Sequence, residues 1–298
     1  MNVLEVERLA IWQESSGRSL VHDSSFWLAQ GECLAIVGES GSGKSLTCRA
    51  LLRLNQKGLS QSGLIAMNGV DLSKLSDKEM RRYRGRRLCM IMQNGMSAFD
   101  PSRPVGSHLR MTLRTHYDWS RSEMENRLRS SMTSVGFRKP DAVMRRYRHE
   151  LSGGMLQRLM IALAIALEPE VIIADEPTTA LDAVTAYEVT EQFVRLRERL
   201  GSSILFVSHD LGAVKRIADN MLVMKDGAII ERGAVRDIFS GARHTYTREL
   251  VSSKEKVSRH YSRLMGGADV AESGESLQNV SANRLGGQPS SSAEKYKL

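Results

Sequence analysis

An α/β fold is predicted, with a mainly buried sheet and a helical subdomain inserted at about residues 95–165. Three observations point there. Short apolar, β-rich runs at 34–37, 88–92, 171–174, 204–207 and 221–224 recur between stretches of helical periodicity, the pattern of strands covered on both faces. The first run leads through a glycine-rich turn into a helical stretch from Lys44 to about Leu54. Residues 103–148 contain no strand run and place Arg, Ser and Met at helical spacings, which marks an insertion into the sheet.

At 298 residues the chain can bury a large core, and 41% hydrophobic with 26% charged residues is the balance of a globular protein, so disorder of the whole chain is excluded. The longest apolar run, 159–167, is far shorter than the roughly 18–20 residues of a membrane span. Glu5, Glu7 and Arg8 interrupt the first apolar stretch, unlike a secretory signal, so a cytoplasmic location is expected. After about Val251 the apolar pattern thins, and Ser, Gly and charge dominate 266–298. This predicts one domain over 1–250 and a poorly ordered polar tail over 251–298.

The three cysteines, Cys33, Cys48 and Cys89, form no CxxC pair and are expected to be small buried hydrophobes. The net charge is +8, with basic clusters at 78–87 and 138–148. Aromatics make up only 5% and do not interleave with these clusters, so a solvated face or a surface near anionic lipid headgroups is expected, and no nucleic acid.

Three motifs carry chemistry. Gly38-Glu39-Ser40-Gly41-Ser42-Gly43-Lys44-Ser45 fits GxxxxGK[ST] between a strand run and a helical pattern. Its glycines let backbone N–H groups wrap a phosphate, Lys44 reaches the β/γ-phosphates and Ser45 can ligate Mg²⁺, so ATP or another nucleoside triphosphate is expected to bind. Residues 171–174 run into Asp175 and Glu176, which can hold Mg²⁺ and polarise a water as general base. Leu151-Ser152-Gly153-Gly154-Met155-Leu156-Gln157-Arg158 places two glycines before a helical pattern, offering N–H groups and a hydroxyl to an anion.

Taken in order with Gln93, Asp182 of Ala180-Leu181-Asp182, and His209, these motifs resemble the nucleotide-binding subunit of an ABC transporter over about residues 3–250. The resemblance implies a P-loop ABC-type ATPase domain whose Gln93 touches Mg²⁺ or the lytic water. It implies that Ser152, Gly153, Gly154 and Gln157 belong to a segment closing on ATP held by a second ABC ATPase subunit. It places Asp182 at the dimer seam and His209 at the γ-phosphate. The family stacks adenine on an aromatic of the first strand region. Here Trp12 stands one position away, and either stacks on the base or covers a sheet edge.

Arg243-His244-Thr245-Tyr246-Thr247 resembles the segment closing the ATPase domain in the peptide and nickel importer group, with Thr245 where proline is usual. No cysteine cluster follows, and several motif flanks are most similar to nickel-import ATPases. Implied partners are integral membrane permease subunits, docking near residues 96–107, and a periplasmic or lipid-anchored substrate-binding protein. The implied location is the cytoplasmic face of the inner membrane, with nickel or a nickel–metallophore complex as cargo and di- or oligopeptides as the alternative. Chromosome-maintenance relatives are disfavoured because only 58 residues separate Gln93 from Ser152, too few for a long coiled coil.

Overall fold

A computed structural model describes residues 1–93, 95–179 and 181–253. The chain opens with β1 (Asn2–Gln13), β2 (Ser19–Ala29), β3 (Cys33–Val37), α1 (Lys44–Leu51), β4 (Leu59–Met67), β5 (Val70–Asp71), α2 (Asp77–Tyr83) and β6 (Leu88–Ile91). A helical stretch follows: α3 (Gly95–Ala98), α4 (Val105–His116), α5 (Arg121–Ser134), α6 (Pro140–Met144) and α7 (Gly153–Leu167). The remainder is β7 (Val171–Asp175), α8 (Ala183–Leu200), β8 (Ser203–Val207), α9 (Leu211–Ile217), β9 (Asn220–Lys225), β10 (Ala228–Ala234) and α10 (Val235–Gly241).

All five strand runs read from the sequence fall in one six-stranded sheet, ordered β10-β9-β3-β8-β7-β6. From β9 to β6 its pairs are parallel, and β10 returns antiparallel to β9. Alternate side chains of each central strand enter different cores, as a period of two requires. Cys33, Ala35, Val37, Ile172, Ala174, Ile204 and Phe206 share one core with the helices of the insertion and with α8 and α9. Leu34, Ile36, Val171, Ile173, Leu205 and Val207 pack with α1 and a second, antiparallel sheet of order β2-β1-β4-β5.

α7 is apolar nearly all round and occupies the middle of the first core, which accounts for the long apolar run at 159–167. Its last carbonyl, Leu167 O, accepts a 2.7 Å hydrogen bond from the Tyr117 hydroxyl. The Tyr117 ring stacks on Trp119 at 3.9 Å, flanked by the guanidinium of Arg86 on one ring and that of Arg127 on the other. The three cysteines are buried. Burial pushes the Cys89 thiol up to about 12, so it remains protonated and inert.

This topology positions the site. In a parallel sheet every C-terminal strand end lies on one edge, and ligands gather there. The glycine loop follows β3, Gln93 follows β6, Asp175 and Glu176 end β7, and His209 follows β8. Residues far apart in sequence thus meet on that edge.

Candidate functional site

The glycine loop is shaped as an anion cradle. α1 begins at Lys44 with no side-chain cap and no acidic residue in its first turn, so its N-terminal N–H groups face the loop without a side-chain acceptor. Gly43 enters the helix at φ 101, which favours glycine, and a Cβ there would stand 3.1 Å from Val21. The Lys44 ammonium donates to Gly38 O at 2.9 Å and Glu39 O at 2.8 Å, and lies 3.9 Å from Glu176 Oε1. Burial lowers the Lys44 pKa, against the opposing pull of Glu176 and Asp175.

Beside it, Ser45 Oγ donates to Asp175 Oδ1 at 2.8 Å. Burial pushes the Asp175 carboxyl above its ordinary range, and the Ser45 bond acts the other way. A buried carboxylate and a hydroxyl are the hard oxygen donors that suit Mg²⁺, and a cation would offset the desolvation of Asp175. Gln93, whose Nε2 reaches Glu176, carries an amide oxygen that could serve as a further hard donor.

Glu176 is the hub. Its Oε2 accepts from Thr179 Oγ1 at 2.9 Å and from Gln93 Nε2 at 3.3 Å, and faces His209 Nδ1 at 3.3 Å. Its N–H donates to Val207 O at 2.9 Å, pinning the residue to β8. The backbone is left-handed at φ 46, an unfavourable conformation for a glutamate, which the surrounding bonds over-determine. Thr179 is absent from the motifs read in the sequence. Its signal was a hydroxyl three residues beyond the carboxylate, within hydrogen-bond reach across a turn.

The glycine pair is inside a helix rather than before it. Ser152 caps α7, its Oγ accepting the Met155 N–H, and Gly153 and Gly154 form the first turn. Ser152 and Gly153 are exposed, whereas Gly154 is buried against α8. A Cβ at Gly154 would come closer than 3.0 Å to Thr185 Cγ2. Asp182 caps α8, accepting from Thr185 N at 3.0 Å and Thr185 Oγ1 at 2.7 Å. Among the described residues no hydrogen bond or ion pair joins Ser152, Gly153, Gly154 or Asp182 to the phosphate loop.

Two further residues are placed differently from their neighbours in sequence. Gln157 is 2% exposed, one turn inside α7, with its Nε2 unpartnered, so it lies behind the surface that Ser152 presents. Trp12 is half-buried near the end of β1, paired with Ser19 and Ser60. The adjacent pair, Ile11 with Val21, brings that sheet edge to the phosphate loop through Val21.

The chain matches the family model described as ABC transporter over residues 21–179. It is 42% identical over 267 residues to the metal-staphylopine import system ATP-binding protein CntD of Staphylococcus aureus, covering 90% of this chain and 98% of that protein. It is 40% identical over 255 residues to the oligopeptide transport ATP-binding protein OppD of Bacillus subtilis, covering 84% of this chain and 71% of that protein. Among solved structures, cbiO1 from Clostridium perfringens, part of the ABC transporter complex cbiONQ, superposes with a TM-score of 0.71 at 24% identity, covering 89% of this chain and 99% of that one. The dimeric cassette MJ0796 gives a TM-score of 0.69 at 23% identity, covering 78% and 99%. Fold, motif order and relatives matched over most of their length agree: this chain belongs to the ABC transporter family, as an ATPase subunit of the importer type.

Proposed function

We propose that this subunit powers nickel uptake, as the free ion or chelated by a small metallophore, from the cytoplasmic face of the inner membrane. The observation that carries the chemistry is the convergence of Lys44, Gln93, Thr179 and His209 on Glu176. The residues Gly38, Glu39, Ser40, Gly41, Ser42, Gly43, Lys44 and Ser45 wrap the ATP phosphates. Ser45, Asp175 and Gln93 hold Mg²⁺, which would offset phosphate charge. Glu176 takes the proton of the attacking water, and His209 orients that water and the γ-phosphate.

Ser152, Gly153 and Gly154 reach ATP held by a second cassette, a paralogue or a second copy, with Gln157 supporting them from inside α7. Asp182 lines the seam. Trp12 is the candidate partner for adenine. Residues 96–107, which include Met96 at 47% exposed, offer a docking face to a loop of the permease subunits. A periplasmic or lipid-anchored binding protein delivers the cargo to the permease. Residues 1–250 form the ATPase domain, with the helical subdomain at about 95–165. The polar tail expected at 251–298 lies outside the described residues beyond Ser253.

The 42% identity to a metal-staphylopine import subunit, near full length on both sides, supports a chelated metal cargo. The 40% identity to an oligopeptide subunit supports peptides as the second reading. Deleting the gene at limiting metal distinguishes them. Nickel uptake lowers cellular nickel on deletion, with rescue by excess metal. Unchanged nickel together with lost growth on short peptides moves the assignment to peptides.

A further inference from the structure

The segment at 243–247 supplied ancestry in the sequence, and in the fold it lies against the phosphate loop. Glu231 of β10 fixes it there, its carboxylate accepting the Arg243 N–H at 2.7 Å and the His244 N–H at 3.1 Å. Tyr246 follows, 7% exposed, its N–H donating to His244 Nδ1 at 3.2 Å and its ring 4.8 Å beneath the Lys225 ammonium. Its hydroxyl accepts the Glu39 N–H at 3.1 Å.

That bond has a specific mechanical partner. The Glu39 N–H and the Gly38 carbonyl belong to one trans peptide unit and point in opposite directions. Tyr246 holds the N–H side, and the Lys44 ammonium sits on the carbonyl side at 2.9 Å. The loop on either side of this unit is held separately. Gly38 is at φ +152, and a Cβ there would overlap Met224 O. Gly227, in the turn between β9 and β10, donates its N–H to Ser42 O at 3.2 Å.

We propose that Tyr246 is a positioning residue for nucleotide binding, its hydroxyl fixing the Gly38–Glu39 peptide whose carbonyl aims the Lys44 ammonium. The inference rests on the phosphate loop being the ATP site. With the hydroxyl gone, the peptide can rock about its axis and the ammonium is less well oriented before ATP arrives. The cost falls on binding. Once ATP is bound, its phosphates hold Lys44 directly, and turnover is nearly unaffected.

The test uses full-length chain, Mg-ATP, and the Tyr246→Phe variant, which keeps the ring and its contact with Lys225. Lys44→Ala is measured in parallel. Tyr246→Phe raises the ATP Kd of the full-length chain and the KM of the assembled transporter about three- to tenfold. It leaves kcat within about twofold, and lowers the melting temperature of nucleotide-free chain by no more than about 4 °C, the effect of one lost hydrogen bond. An unchanged Kd overturns the proposal. So does a parallel fall in kcat and melting temperature, which would mark Tyr246 as a general structural support. If Lys44→Ala binds ATP as wild type does, the assignment of the loop as the ATP site falls instead.

Discussion

Replacing Gly154 by alanine tests how closely the N-termini of α7 and α8, the surface proposed to meet a second cassette, are coupled within one chain. The new methyl would stand closer than 3.0 Å to Thr185 Cγ2, and Thr185 cannot rotate away without breaking its 2.7 Å bond to Asp182. Forcing a methyl into such a packed contact costs about 1–3 kcal/mol, against a helix-propensity gain of at most about 1 kcal/mol. The first turn of α7 must then shift, carrying Ser152 with it. A displacement approaching an ångström at a catalytic surface lowers turnover about 10- to 100-fold. Thr185→Ser deletes the offending methyl, keeps the hydroxyl for Asp182, and leaves the nearest Thr185 atoms at 3.8 and 3.9 Å, ordinary contact distances. Gly154→Ala combined with Thr185→Ser therefore recovers both the urea midpoint of the full chain and most of the ATP turnover of the assembled transporter. A coupling energy below about 0.5 kcal/mol in the double-mutant cycle would refute the reasoning.

Other consequences are more local. Thr179→Val removes the 2.9 Å bond to Glu176 and lowers turnover about tenfold with ATP affinity retained, while Thr179→Ser keeps the wild-type rate; equal rates for all three would exclude a role for the hydroxyl. Tyr117→Phe leaves Leu167 O at the end of α7 without its 2.7 Å partner and costs about 1 kcal/mol in denaturant unfolding, a loss that an unchanged midpoint would contradict. Burial first, and then the Arg86 guanidinium, hold the His116 imidazole below its ordinary 6.5. The unfolded chain therefore takes up this proton first as pH falls, and stability present above about pH 6.5 is lost below it. His116→Gln flattens the fall in melting temperature between about pH 7 and pH 5, and an unaltered slope would rule the histidine out.

The parallel sheet was legible because its strands are buried on both faces and read as short continuous apolar runs between helices. The antiparallel sheet was not. In β1 the buried residues Leu4 and Val6 are out of phase with Leu9 and Ile11, because the register shifts between Val6 and Leu9 where Arg8 takes φ 49. A bulge of this kind erases the alternation that identifies a half-buried strand. β10 gave no signal for another reason: every one of its residues is half-buried, so nothing alternates.

The same division holds within the site. Lys44 and Ser45 were readable from the glycine loop that opens α1, Asp175 and Glu176 from the end of an apolar strand, and Gln93 and His209 from the resemblance, which sets their order along the chain. Thr185 and Tyr246 act through single methyl or hydroxyl contacts that no spacing announces, and Thr179 carried only the weak signal of a hydroxyl three residues beyond Glu176. The Tyr246 contact joins positions 207 residues apart, a relation that only the folded chain reveals.

The central claim is that Glu176 is the general base of an ATPase whose nucleotide is held by other groups. Glu176→Gln keeps the size of the side chain and an oxygen for Thr179, and removes the basicity. In the assembled transporter this variant binds Mg-ATP as tightly as wild type or tighter, and its steady-state hydrolysis falls at least about 100-fold. Hydrolysis at the wild-type rate would contradict the assignment.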